Sequence, residues 1–181
     1  EAYYFRAHAY FSLLENFGGV PYIDKVLGTG SEELYKPRDS RDFIAEKIIE
    51  DLDIAASKLF WKGEGKAVSA RINKEMALLL KSRVALFEGS WEYYHGRDNT
   101  PFKVDGKDGS EFLDQAIEAG EALIARYGNN IFVGRAGFEY EDMFNKNNYD
   151  NITGAFFYKH FDAGLGITHS WRYYPLGWGV S

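Results

Sequence analysis

KPRDSRDFIAEKIIEDLDIAASKLF, residues 36–60, carries the plainest periodicity in the chain. Ile44, Ile48, Leu52, Ala55 and Leu59 recur at helical spacing and mark one face, while Glu46, Lys47, Glu50, Asp51 and Asp53 fall mainly on the solvated side. Asp39 or Ser40 can accept the free N–H groups of the first turn, and the pattern stops near Phe60, before WKGEGK. A helix with one apolar stripe needs neighbours to cover it, so the flanking sequence should supply more of the same.

It does. Upstream, Ala2, Phe5, Ala9, Leu13 and Phe17 predict a helix from about Ala2 to Asn16, closed by Gly18 and Gly19 and kept closed by Pro21. Downstream, a helix is expected over Asn73–Glu88, with Met76, Leu79, Leu80, Val84 and Phe87 inward and Gly89 in the C-terminal capping position. A fourth is expected over Glu111–Tyr127, with Ser110 as N-cap and Gly128 at its end; Ala116 and Gly120, one turn apart, predict a close approach by a neighbour. Helix starts near 39, 73 and 110 recur at about the period of helical repeat proteins, yet each interval holds one helix rather than the two that a repeat of ~34 residues contains. The fold class is therefore mainly all-α, an irregular helical-hairpin scaffold with long loops over residues 1–128. Beyond Gly128 the pattern changes: TGAFFYKHFDAG (153–164) has strand composition, and GLGITHSWRYYPLGWGVS (164–181) is a Gly-punctuated aromatic loop. Residues 129–181 are thus the start of a loop-rich part of the same unit, and the whole chain is expected to be one fragment of a larger domain. The helical spacing at the very first residues, with neither Met nor cap ahead of it, carries the same expectation.

Composition removes several function classes. A net charge of -6 and a pI near 5.3 argue against nucleic acid, whose affinity comes from clustered Lys and Arg releasing counterions. No Cys is present, so disulfides, thiolate metal sites, a Cys nucleophile and a lipidated Cys are excluded within these residues. No apolar run approaches the ~20 residues of a membrane-spanning helix. What stands out is the aromatic content of 17%, part of it in Gly-rich loops where core packing does not explain it.

Four stretches resemble signatures of the SusD/RagB family, in that family's order. EAYYFRAHAYFSLLENFGGVPYI resembles its helix with an Arg-Ala pair and aromatics that runs into Phe-Gly-Gly-Val-Pro. KPRDSRDFIAEKIIEDLDIAASKLF resembles its Pro-Arg-x-Ser start and acidic Ile-x-x-Asp-Leu helix, and INKEMALLLKSRVALFEGSWEYYHG its Ala-Leu-Leu-rich helix, in a subgroup continuing into Glu-Gly-Ser-Trp-x-x-Tyr. ITGAFFYKHFDAG resembles the short strand that opens the ligand-facing part. The resemblance implies a tetratricopeptide-like scaffold without catalysis or cofactor. It also implies a lipoprotein at the Gram-negative outer-membrane surface, anchored through a Cys outside these residues, and polysaccharide or oligosaccharide as ligand. The implied partner is a TonB-dependent, SusC-like transporter.

Sugar rings offer C–H faces that stack on aromatic planes, and their hydroxyls take hydrogen bonds from fixed polar groups. Trp171, Tyr173, Tyr174 and Trp178 are the candidates for stacking, with Arg172 and His169 nearby as donors, since the family places some glycan-binding aromatics after its short strand. The plainer alternative is that these rings plug the loop onto the scaffold. Trp91, Tyr93, Tyr94 and His95 are read as packing at a helix end, and Trp61 as an exposed or packing loop ring. His8, His95, His160 and His169 show no metal-like pairing, and Asp105–Gly109 lacks the ligand ladder of a calcium loop. Glu139, Glu141 and Asp142 are too close in sequence to flank a glycosidic bond and read as a solvated turn. The competing function for such a scaffold is protein or peptide binding without glycan affinity, with contacts on helix faces rather than loops.

Overall fold

The structure, a computed structural model, describes residues 1–68, 70–128, 137–144, 149–150, 152–159, 161 and 163–167. Four long helices carry it: α1 Ala2–Phe17, α2 Arg41–Lys58, α3 Lys74–Arg97 and α4 Ser110–Tyr127, followed by the short α5 Glu139–Phe144. Single 3₁₀ turns lie at Glu32–Tyr35 and Ala163–Leu165. The main contacts run between sequence neighbours: α1 on α2, α2 on α3, α3 on α4.

Each pair is antiparallel, as cross-links at both ends show. Arg6 near the start of α1 donates from Nε and Nη2 to the two oxygens of Asp51 late in α2, both at 2.6 Å, while Arg41 at the start of α2 reaches the Leu14 carbonyl near the end of α1. Arg41 also grips Glu88 in the second half of α3, whose first residue Lys74 bonds back to the Phe60 carbonyl just past α2. Ser82 of α3 donates to the Ala116 carbonyl of α4, and Tyr127 at the end of α4 returns to Glu75 at the start of α3. The sequence-predicted helical-hairpin scaffold is what forms.

The α2 stripe lies where its periodicity put it: Ile44, Ile48, Leu52 and Ala55 are buried and Leu59 packs at the margin. The α1 stripe does not. Tyr4, Ala7, Phe11 and Leu14 face the core, and the expected set Ala2, Phe5, Ala9, Leu13 and Phe17 is exposed, Phe5 by 54% and Phe17 by 59%. Both sets are apolar and both have helical spacing, so periodicity alone does not choose; the Arg6–Asp51 pair does, by fixing which side of α1 meets α2. Asp51, assigned to the solvated side, is accordingly buried.

α3 departs most from expectation. Rather than ending at Glu88 it runs through Gly89 to Arg97, and Gly89 serves packing, not capping. A Cβ there would stand 2.8 Å from Leu113 Cγ and 2.9 Å from the Gly109 carbonyl oxygen, so the absent side chain lets α3 touch the start of α4 backbone to backbone. The close approach expected at Gly120 is not found: a Cβ at that position meets nothing within 4 Å. Leu79 is exposed, whereas Ala77, Leu78, Leu80, Val84 and Ala85 are buried, because α3 is the middle helix, covered on two sides. Asn73 caps it, its Oδ1 accepting the Met76 N–H at 3.1 Å; Ser40 and Ser110 make no such capping bond.

The expected strand at 153–164 is a second correction. Residues 152–159 are turns and irregular backbone, and side chains of the helical part take three of their carbonyls. Lys62 Nζ donates to the Ile152 and Ala155 carbonyls at 2.7 and 2.8 Å, and Asn73 Nδ2 to the Phe156 carbonyl at 2.7 Å, which seats Ala155 and Phe156 against the helices.

Candidate functional site

The stacking candidates Trp171, Tyr173, Tyr174 and Trp178, and their neighbours Arg172 and His169, lie outside the described residues, as does His160. Among the described residues the aromatic surface that does form is on α3. Because that helix continues past Gly89, Arg83, Leu86, Phe87, Ser90, Trp91, Tyr94 and His95 fall on one side of it, three to four residues apart, and line an open groove of about 490 Å³. Its floor is almost entirely ring and aliphatic carbon. Phe87 meets Phe11 of α1 edge-on at 5.7 Å, which closes one flank. The 98–109 connection packs against two of the lining rings: Phe102 stands edge-on to Trp91 and His95, and Thr100 Oγ1 bonds His95 Nδ1 at 2.6 Å.

Trp91 is held from beneath by charge. The guanidinium carbon of Arg41 lies 3.9 Å from the centre of its ring and 5.2 Å from that of Phe87, within cation–π range. Arg41 Nε lies 3.0 and 2.8 Å from the two oxygens of Glu88, which is fully buried. One turn on, Glu92 is 1% exposed, and its Oε1 has no hydrogen-bond partner, nor have Glu88 Oε2 and Arg41 Nη2. Burial pushes the Glu92 carboxyl up to about 7, with the neighbouring Glu88 charge adding to the effect, and burial likewise raises Glu88 against the pull of Arg41.

The packing role assigned to the Trp91 cluster thus holds for Trp91 and His95, which tie the 98–109 connection to the helix. Tyr93 and Tyr94 are about half exposed, with Arg97 over both rings. Arg83, Leu86 and Ser90 were not singled out in the sequence; the signal was there in the spacing 83, 87, 91, 94, hidden by ending the helix at Gly89. Trp61 is a packing residue: it lies edge-on to Tyr127 at 6.4 Å with Lys74 and Arg126 over its ring. Beside it, buried Glu75 accepts the Lys62 backbone N–H and the Tyr127 hydroxyl, and burial with that bond pushes Tyr127 up to about 12. Burial lowers Lys62, whose ammonium is spent on carbonyls.

Among the described residues no group of three or more His, Cys, Asp or Glu side chains could hold a metal ion, and no helix is long and apolar enough to cross a membrane. The acidic run lies on α5, a helix of less than two turns, with Glu141 exposed. The arrangement offers flat apolar surface with a few polar neighbours, which suits holding a ligand.

No protein-family model matches the chain, and no curated protein matches it. Among solved structures it is similar to a SusD-like protein from Bacteroides fragilis NCTC 9343, with a TM-score of 0.58 and 25% sequence identity. The match covers 83% of this chain and 24% of that one, so this chain spans about a quarter of that protein's length. The chain therefore has a SusD-like helical fold.

Proposed function

We propose that this chain belongs to the glycan-holding part of an outer-membrane uptake system. It binds polysaccharide or oligosaccharide at the cell surface without chemistry of its own and delivers it to a TonB-dependent, SusC-like transporter, the lipid anchor lying outside these residues. The observation that carries the reading is the SusD-like fold over 83% of the chain. The four ordered sequence signatures support it. In this reading residues 1–128 are the frame and 129–181 begin the ligand-facing part, where Trp171, Tyr173, Tyr174 and Trp178 stack on sugar rings and Arg172 donates to hydroxyls. None of these steps requires a nucleophile, metal or cofactor.

Electrophoresis of the protein through gels cast with neutral polysaccharides tests this. Retardation by at least one polymer, with no release of reducing sugar, is the expected result; release of sugar would replace it with a hydrolase. Trp171→Ala or Trp178→Ala is expected to weaken binding by ~1–3 kcal/mol with an unchanged melting temperature. Variants that melt early yet bind normally once folded would assign those rings to packing.

One observation favours a second reading. The α3 groove is apolar and lies on a helix face, the place where a tetratricopeptide-like scaffold would take a peptide or protein rather than a sugar. Retardation by none of the polymers, with binding lost on Tyr94→Ala to a captured peptide, would support that alternative.

A further inference from the structure

α3 buries two carboxylates one turn apart, Glu88 and Glu92, with a single guanidinium, Arg41, to balance them. Charged groups face the pair from every element packed there. α2 brings Arg41 and Asp42, and the 98–109 connection brings Lys107 and the Gly109 backbone N–H. Lys107, however, sits at the solvent edge and is already engaged by Glu111 of α4 at 2.6 Å and Glu46 of α2 at 3.9 Å. α1 adds only a carbonyl, that of Leu14. Two ionised carboxylates here would leave one negative charge in a dry interior, and a buried unpaired charge costs several kcal/mol. Each carboxylate keeps one oxygen without a hydrogen-bond partner, Glu88 Oε2 and Glu92 Oε1, and only Glu88 has the guanidinium beside it.

We propose that Glu88 and Glu92 hold one proton between them, making the junction of α2, α3 and the start of α4 a pH-sensitive clamp that is closed while the proton is held and loosened when it passes to solvent. The junction is tightly closed: Gly89 and Gly109 meet backbone to backbone, and a Cβ on Gly109 would lie 2.1 Å from the Gly89 carbonyl oxygen. Glu88 and Glu92 are 0% and 1% exposed, so hydrating a charge on either requires the packing around them to loosen. The same Arg41 that serves Glu88 supports the Trp91 ring, so the clamp and the floor of the aromatic groove share a side chain. The direction follows from linkage. A carboxyl whose folded-state value is raised stabilises the fold fully below its unfolded value, and that stability is lost as pH rises through the folded one.

Thermal unfolding of the protein as a function of pH tests the clamp. Between about pH 5 and about pH 8 the melting temperature is expected to fall by several degrees, and Glu92→Gln, which is permanently neutral, is expected to flatten that fall. A flat or rising profile in the unsubstituted protein, or an identical slope in Glu92→Gln, overturns the proposal. Should Glu92→Gln fail to fold, carboxyl ¹³C NMR of the glutamate-labelled protein decides: one glutamate titrating near neutrality supports the clamp, and all of them titrating in the ordinary range sinks it.

Discussion

Arg41 ties three helices together. It touches the end of α1 through the Leu14 carbonyl, neutralises Glu88 on α3 and underlies both Phe87 and Trp91. Removing one partner of a buried ion pair leaves the other charge uncompensated, so Arg41→Ala is expected to lower unfolding stability by about 3–5 kcal/mol, measured by urea denaturation at neutral pH. The deficit should shrink in acid, because a Glu88 already raised by burial takes up a proton and no longer needs the guanidinium. A loss below about 0.5 kcal/mol, the size of an ordinary surface change, would mean that the pair is hydrated. Arg41 was visible in the sequence only as part of KPRDSRDF, where its neighbours Asp39 and Ser40 drew attention as caps. Nothing local tells a capping region from a buried cation; that depends on Glu88, distant in sequence and met only through the antiparallel pairing of α2 and α3.

At the scale of elements, the helices were legible and their faces only partly so. α2 could be read because charged residues leave it one apolar stripe, whereas α1 is apolar on two sides and its orientation waits on Arg6 meeting Asp51. Gly89 and Gly120 expose the same limit from the other direction, since a glycine inside a helix is silent about whether its bare Cα is needed. The structure makes them opposites. Gly89→Ala is expected to cost about 1–3 kcal/mol through overpacking against Leu113 and the Gly109 carbonyl. Gly120→Ala, facing open space in mid-helix, is expected to stabilise by about 0.5–1 kcal/mol by cutting backbone entropy in the unfolded chain. Chemical denaturation of the two variants side by side measures both, and equal signs would mean that α3 and α4 do not meet at Gly89. The strand expected at 153–164 failed for a related reason: strand composition describes side chains suited to partial burial, and Phe156 is buried, but its carbonyl is taken by Asn73.

For the whole molecule, the ligand is constrained by charge as much as by shape. A chain with a net charge of -6 repels polyanions at long range; of the cations near its groove Arg41 is paired with Glu88, Arg97 with Asp98 and Lys107 with Glu111, while Arg83, exposed on the groove lining, has among the described residues only the Phe11 ring beside it. Apart from that one guanidinium, what recognition has to work with is ring faces and short-range hydrogen bonds, neither of which releases counterions. In the glycan-holding reading, affinity for a retarding neutral polysaccharide is therefore expected to change less than about twofold between roughly 0.05 and 0.5 M NaCl, a range over which the screening length falls severalfold. Isothermal titration at the two salt concentrations measures it. Affinity that drops by orders of magnitude with salt would point to a charged ligand, with Arg83 on the groove lining as the first cation to replace. Composition alone argued only against nucleic acid; a glycan as ligand came with the family resemblance. Neither revealed the α3 groove, because its lining depends on α3 continuing past Gly89 to Arg97.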